Sequence, residues 1–594
     1  MKIKHFFGLA VIAAMTASCS SNEDLGTAGS GTGTNEAGVG YVAFNINLPT
    51  QSGSSSRAGS GNDQFDAGTP NEYDVKDATL LIFEGSSEST AQFKGAYTLN
   101  TAPWKDNAPT DNITTTSATI VKQIDTPASS DHCYALVVLN KNGVFTVDET
   151  AKTITLKGAT AKFSGTYKDF AESLSEEDLT KNGFYMANAP LASKAGGTSD
   201  PTGAEINTLA TLDGKIKEKE SEAKSAPAQI YVERGVAKVT MQNTSSPTKV
   251  DGSTKADGTS TVDFKITSWV LDNTNKKTYL VRSTDGFDDW TSLASNSTTL
   301  LAANKYRFIG SNAVAANLYR TYFAKDANFD QTGNSAALTA GDLVTNPNPT
   351  FVDKFGNDNP QYCFENTFDA ACQKDQYTTR VLIKANLNSG ETFYVFNGDQ
   401  NTIYPIDKVK DEIKKYYLIE NEAWIKANVT PATGKSEVNG DDLDVEITDA
   451  AGKVSITSIT FKSGVTVSSS ATVPTNYDEV LKRIGSIDEY KNGESYYFVR
   501  IKHFGDDMTP WNKDETTKPS ATSIYPEDHQ AENYLGRYGV LRNNWYDIAV
   551  EGVKGLGSAV VPEVTPNTDD ELKSYIAVKI NVLSWAKRSQ NVVL

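Results

Sequence analysis

Cysteine and histidine are scarce in this chain of 594 residues, which contains four of each. Three cysteines, Cys133, Cys363 and Cys372, lie beyond the first 19 residues, and an odd number cannot form a complete set of disulfides. A bridge between Cys363 and Cys372 is one option, but we expect free, buried thiols. The spacing of Cys and His suits no zinc ion, so the sequence predicts no bound metal and no cofactor.

Motifs for catalysis are also missing. The glycines of residues 29–33 precede no helical pattern, which indicates a linker rather than a phosphate-binding loop. His132, His503 and His529 are dispersed, and none stands in a nucleophile motif. His503 falls on a strand pattern, where we expect a structural role. We therefore predict that the protein is not an enzyme.

Two binding patterns are weaker alternatives. The acidic residues 441–446 lack the spacing of a calcium loop, so we expect a solvated loop there. A platform for sugars would need aromatic residues that do not fill the core, and the candidates are Trp290, Trp511 and Tyr525. The paired carboxylates of a glycosidase cannot be recognised from sequence spacing.

Basic residues are too few to balance the acidic ones, and the formal net charge is −18. Nucleic acids and anionic membranes bind basic surfaces, so neither is an expected partner. Residues 1–57 carry three basic and three acidic side chains. The acidity therefore belongs to the rest of the chain, as in a soluble extracellular protein.

The first 19 residues have the form of a bacterial lipoprotein signal. Lys2 and Lys4 precede an apolar run at residues 6–15 that is too short to span a bilayer. Small residues then lead to Cys19, whose thiol we expect to be acylated after removal of residues 1–18. Thr16 stands where such signals usually have Leu, and a secretory signal with an incidental cysteine is the alternative.

A single clean strand pattern follows the polar linker of residues 20–38. Apolar and polar residues alternate strictly over residues 41–48, which predicts a half-buried strand that ends at Pro49. One face carries Val42, Phe44, Ile46 and Leu48, and the other carries Tyr41, Ala43, Asn45 and Asn47.

Arg57 is the only lysine or arginine between His5 and Val75. The surrounding residues 51–61 are rich in Ser and Gly and cannot pack in a core, so we expect this segment to be accessible. The sequence predicts a trypsin-like cleavage site between Arg57 and Ala58. Cleavage there allows the strand of residues 41–48 to be lost as part of a propeptide, residues 19–57.

The remaining patterns are mainly strands, since Thr, Val, Tyr and Phe favour strands over helices. Residues 262–271 and 277–282 are predicted to form a hairpin. Further strand patterns fall at residues 75–83, 133–139, 229–241, 379–385, 392–396, 454–461, 495–503, 544–550 and 575–585. Helical patterns are few and lie at residues 170–181, 206–224, 409–427 and 478–484.

These patterns predict a mainly β fold with two β-sandwich domains, of transthyretin-like or Greek-key type, and short helices in the loops. The polar residues 243–261 indicate a boundary. We therefore place an N-terminal domain at residues 58–250 and a C-terminal domain at residues 251–585, followed by a separate segment at residues 586–594.

Several further segments follow one another in a recognisable order. In the first half they are residues 71–75 and 80–83, Gly183-Phe-Tyr-Met-Ala-Asn188 and Val232-Glu-Arg-Gly-Val-Ala-Lys238. In the second half they are residues 362–366, 379–385, 538–546 and 582–594. Together these segments resemble the fimbrillins of the Bacteroidales, in particular the larger shaft subunits of minor fimbriae. Val593 stands where that family commonly has an acidic residue.

The resemblance implies a structural subunit of a cell-surface fimbria that supports adhesion, with an outer-membrane lipoprotein as its precursor. In the family, the first strand fills a groove in the N-terminal domain. Here this strand is residues 41–48, and cleavage after Arg57 releases it. The C-terminal segment of a neighbouring subunit then takes its place, which extends a filament.

The resemblance also implies the partners. They are further copies of the chain joined head to tail, accessory tip and anchor subunits, an arginine-specific or trypsin-like protease, and ligands on host or bacterial surfaces. A C-terminal donor segment favours a shaft subunit over a tip subunit.

Two alternatives stay open. The donor is expected at residues 586–594, which include Ala586, Val592, Val593 and Leu594. Residues 575–585 alternate better, and they are either the last strand of their own domain or, as the alternative, part of the donating extension. The other function considered is a monomeric surface lipoprotein that binds a glycan or a host ligand. Such a protein would begin at an acylated Cys19 on the cell, whereas a mature pilin would begin at Ala58.

Overall fold

The structure of the chain is a computed structural model. It describes residues 39–48, 69–101, 117–125, 132–196, 203–242, 248–258, 260–287, 308–315, 317–328, 343–344, 349–367, 377–503, 539–564, 576–584 and 590–591. Strands far outnumber helices in these residues. The predicted mainly β fold with few, short helices is therefore confirmed.

The first fourteen strands of the described chain lie before residue 243. They are β1 (Val39–Asn47), β2 (Ala78–Gly85), β3 (Gln92–Thr98), β4 (Ser117–Asp125), β5 (His132–Leu139), β6 (Phe145–Asp148), β7 (Thr153–Leu156), β8 (Leu174–Ser175), β9 (Met186–Asn188), β10 (Leu191–Ala192), β11 (Ile206–Asn207), β12 (Ala210–Thr211), β13 (Ala228–Arg234) and β14 (Ala237–Gln242).

Twenty further strands of the described residues follow. They are β15 (Thr254–Lys255), β16 (Phe264–Asp272), β17 (Thr274–Asn275), β18 (Thr278–Tyr279), β19 (Ile309–Ala315), β20 (Leu318–Thr321), β21 (Leu343–Val344), β22 (Gln361–Cys363), β23 (Arg380–Leu387), β24 (Phe393–Phe396), β25 (Thr402–Ile403), β26 (Val429–Thr430), β27 (Leu443–Ala450), β28 (Lys453–Phe461), β29 (Thr466–Val467), β30 (Ile487–Tyr490), β31 (Glu494–Arg500), β32 (Asn544–Val553), β33 (Ile576–Ser584) and β34 (Gln590–Asn591).

The α-helices of the described residues are short. They are α1 (Pro70–Tyr73), α2 (Tyr167–Ala171), α3 (Glu220–Ser225), α4 (Ile406–Glu420), α5 (Glu422–Asn428) and α6 (Tyr477–Ile484). Single 3-10 turns lie at Asn388–Gly390, Gly440–Asp442 and Lys491–Gly493. In the part of the chain that the structure describes, no helix has the length and apolar character needed to cross a membrane.

The first sheet has the strand order β3-β2-β5-β9-β13-β1-β4, with β12 beside β5. Its strands carry apolar residues at alternate or successive positions, and these pack into a first core. Phe44, Leu80, Val137 and Ile230 are among the fully buried members of this core. The prediction of buried strands near residues 75–83 and 133–139 is confirmed by β2 and β5.

A second core lies between the sheets β22-β14-β32-β33-β34 and β16-β23-β31. A third core is formed by α4, α6 and the sheet β24-β30-β28-β27. Strand β24 serves both, because Phe393 and Val395 pack in the second core and Tyr394 packs in the third. Both faces of this strand are therefore buried, which explains its continuous run of apolar residues.

Strands β13 and β14 are consecutive in the chain but belong to different sheets. The sequence pattern at residues 229–241 predicts one strand, and this interpretation is wrong. The break falls at Gly235, whose N–H donates to the Tyr185 carbonyl oxygen at 2.8 Å. The side chains of Leu179 and Tyr185 lie so close to Gly235 that a Cβ there would be 3.0 Å from each.

The predicted hairpin of residues 262–271 and 277–282 is also wrong. Strand β16 pairs with β23, whereas β18 pairs with β8, which lies about a hundred residues earlier in the chain. The pattern was local, but the partners of both strands are distant in sequence. Leu280 and Val281 pack in the first core, beyond the predicted boundary at residue 250, and the boundary itself stays a prediction.

Helix predictions succeed where an amphipathic pattern has no competing strand. The patterns at 409–427 and 478–484 correspond to α4 with α5 and to α6. In contrast, residues 170–181 contain the end of α2 and the short strand β8, and residues 206–224 contain β11, β12 and most of α3. The acidic residues 441–446 are not a simple loop, since β27 begins at Leu443.

We expect Gly235→Ala to destabilise the protein by about 1–2 kcal/mol, because the added methyl group overpacks the site between Leu179 and Tyr185. The shift of the urea unfolding midpoint measures this effect. Gly310→Ala is the control, since its Cβ would meet its nearest neighbour at an ordinary 3.4 Å. Equal midpoints for the two variants would contradict the prediction.

Candidate functional site: the groove of the first strand

Strand β1 lies inside the first sheet, between β13 and β4. It pairs with β13 in parallel at four positions, from Phe44–Ala228 to Asn47–Tyr231. It pairs with β4 in antiparallel orientation at nine positions, from Val39–Asp125 to Asn47–Ser117. The strand predicted at residues 41–48 is therefore confirmed as a strand, and it has hydrogen-bonding partners along both edges.

The apolar face of β1 is buried as the alternation predicts. Val42, Phe44, Ile46 and Leu48 are at most 3% exposed and belong to the first core. At about 2 kcal/mol for each buried side chain, these four residues contribute roughly 8 kcal/mol to the stability of the folded chain. Strand β1, which precedes Arg57 in the chain, is thus part of the first core.

The opposite face of β1 is also partly covered. Ala43 is buried, and helix α3 packs against β1 and β4. At Tyr41 the backbone N–H donates to the Lys217 carbonyl oxygen at 2.7 Å, and the Lys217 N–H donates back at 2.8 Å. The sequence pattern predicted a half-buried strand because it carries no information about this covering segment.

Two asparagines of β1 fix its position along β13. The Asn47 side-chain amide donates to the Ile230 carbonyl oxygen at 3.1 Å. The Asn45 side-chain amide donates to Gln229 Oε1 at 2.9 Å. A shift of the strand by one residue would move these side chains and the apolar residues to the wrong faces. The register of β1 is therefore well specified.

The predicted processing and lipidation residues lie outside the described residues. These are Cys19, Arg57 and Ala58. The same holds for Ala586, Val592, Val593 and Leu594 of the expected donor segment, and for the aromatic residues Trp290, Trp511 and Tyr525. The structure brings the residues of β1 together in one groove and leaves the other assignments as predictions.

Strand β33 lies next to β32 at the C-terminal end of the chain. The two strands pair in antiparallel orientation from Asn544–Ser584 to Val553–Ile576. Strand β34 pairs with β33 at two positions, Lys579–Asn591 and Ile580–Gln590. The strand predicted at residues 575–585 is confirmed, and it is docked on a sheet of its own chain.

The sequence of this C-terminal strand repeats that of β1. Residues 41–48 read Tyr-Val-Ala-Phe-Asn-Ile-Asn-Leu, and residues 575–582 read Tyr-Ile-Ala-Val-Lys-Ile-Asn-Val. Four of the eight positions are identical, and the three apolar differences keep an apolar residue. Asn581 corresponds to Asn47, the residue whose side chain binds β13.

The repeat does not follow from equivalent positions in the two sheets. β1 is the parallel partner of β13, and the parallel partner of β14 is β32, not β33. β33 instead pairs with β32 in antiparallel orientation, as β4 pairs with β1 in the first sheet. The likeness of β1 and β33 therefore needs another explanation than a shared structural position.

Comparison with known proteins gives a family for the C-terminal part of the chain. Residues 488–591 match the family described as major fimbrial subunit protein type IV, fimbrillin, C-terminal. This match contains β32 and β33. The predicted resemblance to the fimbrillins is confirmed. This stretch of the chain is thus similar to the C-terminal part of fimbrial subunits.

Solved structures add only a distant likeness. A protein of Parabacteroides distasonis, for which a role in cell adhesion has been suggested, is 11% identical with a TM-score of 0.33, covering 93% of this chain and 98% of that chain. The tip fimbrial protein Mfa3 of Porphyromonas gingivalis is 10% identical with a TM-score of 0.27, covering 92% and 100%. These TM-scores are too low to support a structural argument. Curated protein sequences contain no match.

Four buried ion pairs were not predicted. They are Lys238–Glu72 at 2.8 Å, Arg282–Glu233 at 2.7 Å, Arg380–Asp272 at 2.8 Å and Arg542–Glu365 at 2.5 Å. All eight side chains are at most 6% exposed. Charged residues on strand patterns were the only sequence signal, and the partners are far apart in the chain.

Glu72 connects helix α1 to strands β13 and β14. Burial acts to raise the pKa of Glu72, but the Lys238 ammonium and a hydrogen bond from Tyr362 hold it below its ordinary value. Arg234 Nε donates to the Glu72 carbonyl oxygen at 2.8 Å. Helix α1, which follows the predicted cleavage site, is therefore anchored independently of β1.

Glu88 lines a cavity of about 710 Å³ near α2 and residues 282–287. Its carboxylate accepts the backbone N–H groups of Thr208 at 3.0 Å and Leu209 at 2.9 Å. These bonds act to lower the pKa of Glu88, but burial has the larger effect and raises it to about 7. The group therefore changes charge near neutral pH.

The remaining candidate residues have structural surroundings. His503 is buried, with Nδ1 2.7 Å from the Tyr546 hydroxyl, and His132 lies on the surface, 2.5 Å from Asp213. Cys133 and Cys363 are free and buried, and burial raises the pKa of each thiol to about 12. The described residues contain no group of three or more acidic, His or Cys side chains arranged to hold a metal ion.

The stability of the folded chain should depend on Glu88 between pH 7 and pH 4.5. The folded state binds a proton near pH 7 that the unfolded state binds only near pH 4.5, so wild-type stability rises as the pH falls through this range. Glu88→Gln keeps an acceptor for Thr208 and Leu209 but cannot titrate. It should lack about 1–2 kcal/mol of this gain, after allowance for partial exposure.

Urea unfolding at pH 7.5 and pH 5 measures the difference. Glu205→Gln is the control, because Glu205 lines the same cavity and is exposed. If Glu88→Gln and the wild type gain the same stability on acidification, the assigned titration of Glu88 is wrong.

Proposed function

We propose that the chain is a fimbrial subunit that polymerises by strand exchange after proteolysis at Arg57. The precursor is held at the outer membrane through Cys19 and contains β1 in its groove. Cleavage between Arg57 and Ala58 separates β1 from the body of the protein, and a C-terminal segment of a second subunit then occupies the groove. Repetition of this step gives a head-to-tail filament.

The observation that carries the proposal is the position of β1. The strand precedes the predicted cleavage site, yet it supplies four buried side chains to the first core and pairs with neighbours on both edges. Its loss exposes apolar surface and unpaired backbone groups of β13 and β4, which is unfavourable in water. A strand from another molecule recovers both contributions.

The repeat at residues 575–582 supports a donor in the C-terminal tail. In the register of β1, Ile576, Val578, Ile580 and Val582 take the places of Val42, Phe44, Ile46 and Leu48. The Asn581 amide takes the place of Asn47 opposite the Ile230 carbonyl group. Residues 586–594, the donor expected from the free end of the chain, have no such alternation and extend beyond the groove in this arrangement.

The exchange starts from a monomer in which β33 is docked beside β32. Donation therefore replaces one set of backbone hydrogen bonds by another, and the gain comes from filling the empty groove. Since the two strands have similar sequences, they should bind the groove with similar strength. Proteolysis gives the reaction its direction, because the cleaved β1 is diluted while the tail stays attached to its subunit.

Arg57→Ala should give a precursor that retains β1 and stays monomeric, because the only predicted cleavage site before residue 76 is removed. N-terminal sequencing and electron microscopy after treatment with an arginine-specific protease measure the result. Lys76→Ala is the control, since Lys76 is the next basic residue and its loss should leave processing at Arg57 unchanged. Filaments of Arg57→Ala that still contain residues 42–48 would contradict the proposal.

The donor can be identified with peptides added to cleaved wild-type protein. A peptide of residues 575–582 should slow filament growth by at least tenfold at saturation, because it fills the groove without carrying a subunit. A scrambled peptide of the same composition and a peptide of residues 586–594 should have no such effect. Inhibition by the peptide of residues 586–594 alone would assign the donor to the terminal segment.

A further inference from the structure

Strand β4 depends on β1 for its place in the sheet. Among the strands that the structure describes, β4 pairs with β1 alone. It lies at one edge of the first sheet, and β3 lies at the other edge. When β1 leaves, all nine of the described pairs of β4 are lost. The backbone ladder then no longer holds β4 in position.

A strand that replaces β1 needs β4 more than it needs β13. In the register of β1, the new strand pairs with β4 at nine positions and with β13 at four. Ile120 and Ile124 of β4 also belong to the first core. If β4 moved away with β1, the groove would lose most of its hydrogen-bonding positions and part of its apolar lining.

Side chains connect β4 to the opposite edge of the sheet. The Asp125 N–H donates to the Tyr97 hydroxyl oxygen at 3.1 Å, and Lys122 Nζ donates to the Thr98 carbonyl oxygen at 2.9 Å. Lys152 Nζ donates to both carboxylate oxygens of Asp125, at 2.5 and 2.7 Å. We call these five residues the edge contact. They join the two edges of the sheet, although the described residues of β3 and β4 form no backbone ladder with each other.

Both the backbone and the side chain of Lys152 contact β3. The backbone carbonyl oxygen of Lys152 accepts the N–H of Ala96 at 2.9 Å, and the Lys152 ammonium lies 5.6 Å from the centre of the Tyr97 ring. Lys152 has a φ of 53° in the turn between β6 and β7. This turn carries Lys152 over the edge of β3 and directs its ammonium to Asp125.

We propose that the edge contact keeps β4 in place after β1 is withdrawn, so that the vacant groove remains open to a new strand. This inference rests on the proposed function and assigns Tyr97, Asp125 and Lys152 as positioning residues for strand exchange. In the precursor the same contact is nearly redundant, since the exposed ion pair adds little to nine paired positions. Its contribution becomes decisive when β1 is absent.

Lys152→Met and Tyr97→Phe test the proposal, because they remove the ammonium and the hydroxyl oxygen and preserve the apolar parts of the side chains. Lys162→Met is the matched control: it removes an exposed ion pair with Asp148, 3.2 Å long, that does not involve β4. The double variant Asp125→Lys with Lys152→Asp restores a reversed pair. The proteins are studied as full chains, before and after cleavage by an arginine-specific protease.

Amide exchange of residues 117–125 and the rate of filament growth are the measurements. Before cleavage, all variants should match the wild type in exchange and in thermal unfolding. After cleavage, exchange in Lys152→Met should be faster by at least about fivefold, the factor expected for one lost hydrogen bond. Growth should slow by a similar factor, and the reversed pair should restore it.

Several outcomes would overturn the inference. One is that cleaved Lys152→Met and Tyr97→Phe protect β4 and grow filaments like the wild type. Another is that the wild type itself loses all protection of β4 on cleavage but still polymerises at once. If the cleaved wild type keeps β1 or forms no filaments, the proposed function fails instead, and this result is visible without any variant.

Discussion

The first sheet depends on the two-sided pairing of β1. This strand joins β4 to β13 and also contributes an unbroken row of buried side chains to the first core. A strand at the edge of a sheet can be removed with the loss of one ladder, but β1 cannot. Its removal would divide the sheet and open the core at the same time.

The pattern of β1 is present twice in the chain, and the two copies have different surroundings. One copy fills the groove of the first core, and the other lies beside β32 at the margin of the second core. Under the proposed strand exchange, the sequence of β33 would have to fit both of these sites. Both copies share the alternation of four apolar residues and the asparagine at the seventh of the eight positions.

Local patterns in the sequence were sufficient for single strands but not for their partners. The alternation of β1, the apolar runs of β2 and β5 and the helical patterns of α4 and α6 depend on neighbouring residues, so they could be predicted. The partners of β16 and β18 and the buried pair Lys238–Glu72 depend on residues more than a hundred positions away, and the break of the chain at Gly235 depends on Leu179 and Tyr185, at least fifty positions away. A charged residue within a strand pattern was the only available signal for the ion pairs, and it does not identify the partner. The same limit applies to the edge contact, since Lys152 reaches Asp125 only because the β6–β7 turn folds over β3.

The direct passage from β13 to β14 at Gly235 has a mechanical consequence. The groove of the first core is bordered by β13, and the C-terminal strands are docked on the sheet that contains β14. If subunits are joined as proposed, through this groove and the C-terminal tail, a pulling force on the filament would pass between the two sheets through Gly235 and Val236, the residues between β13 and β14. The buried charges of Glu72, Glu233 and Arg542 lie beside this connection, and their ion pairs would resist its deformation.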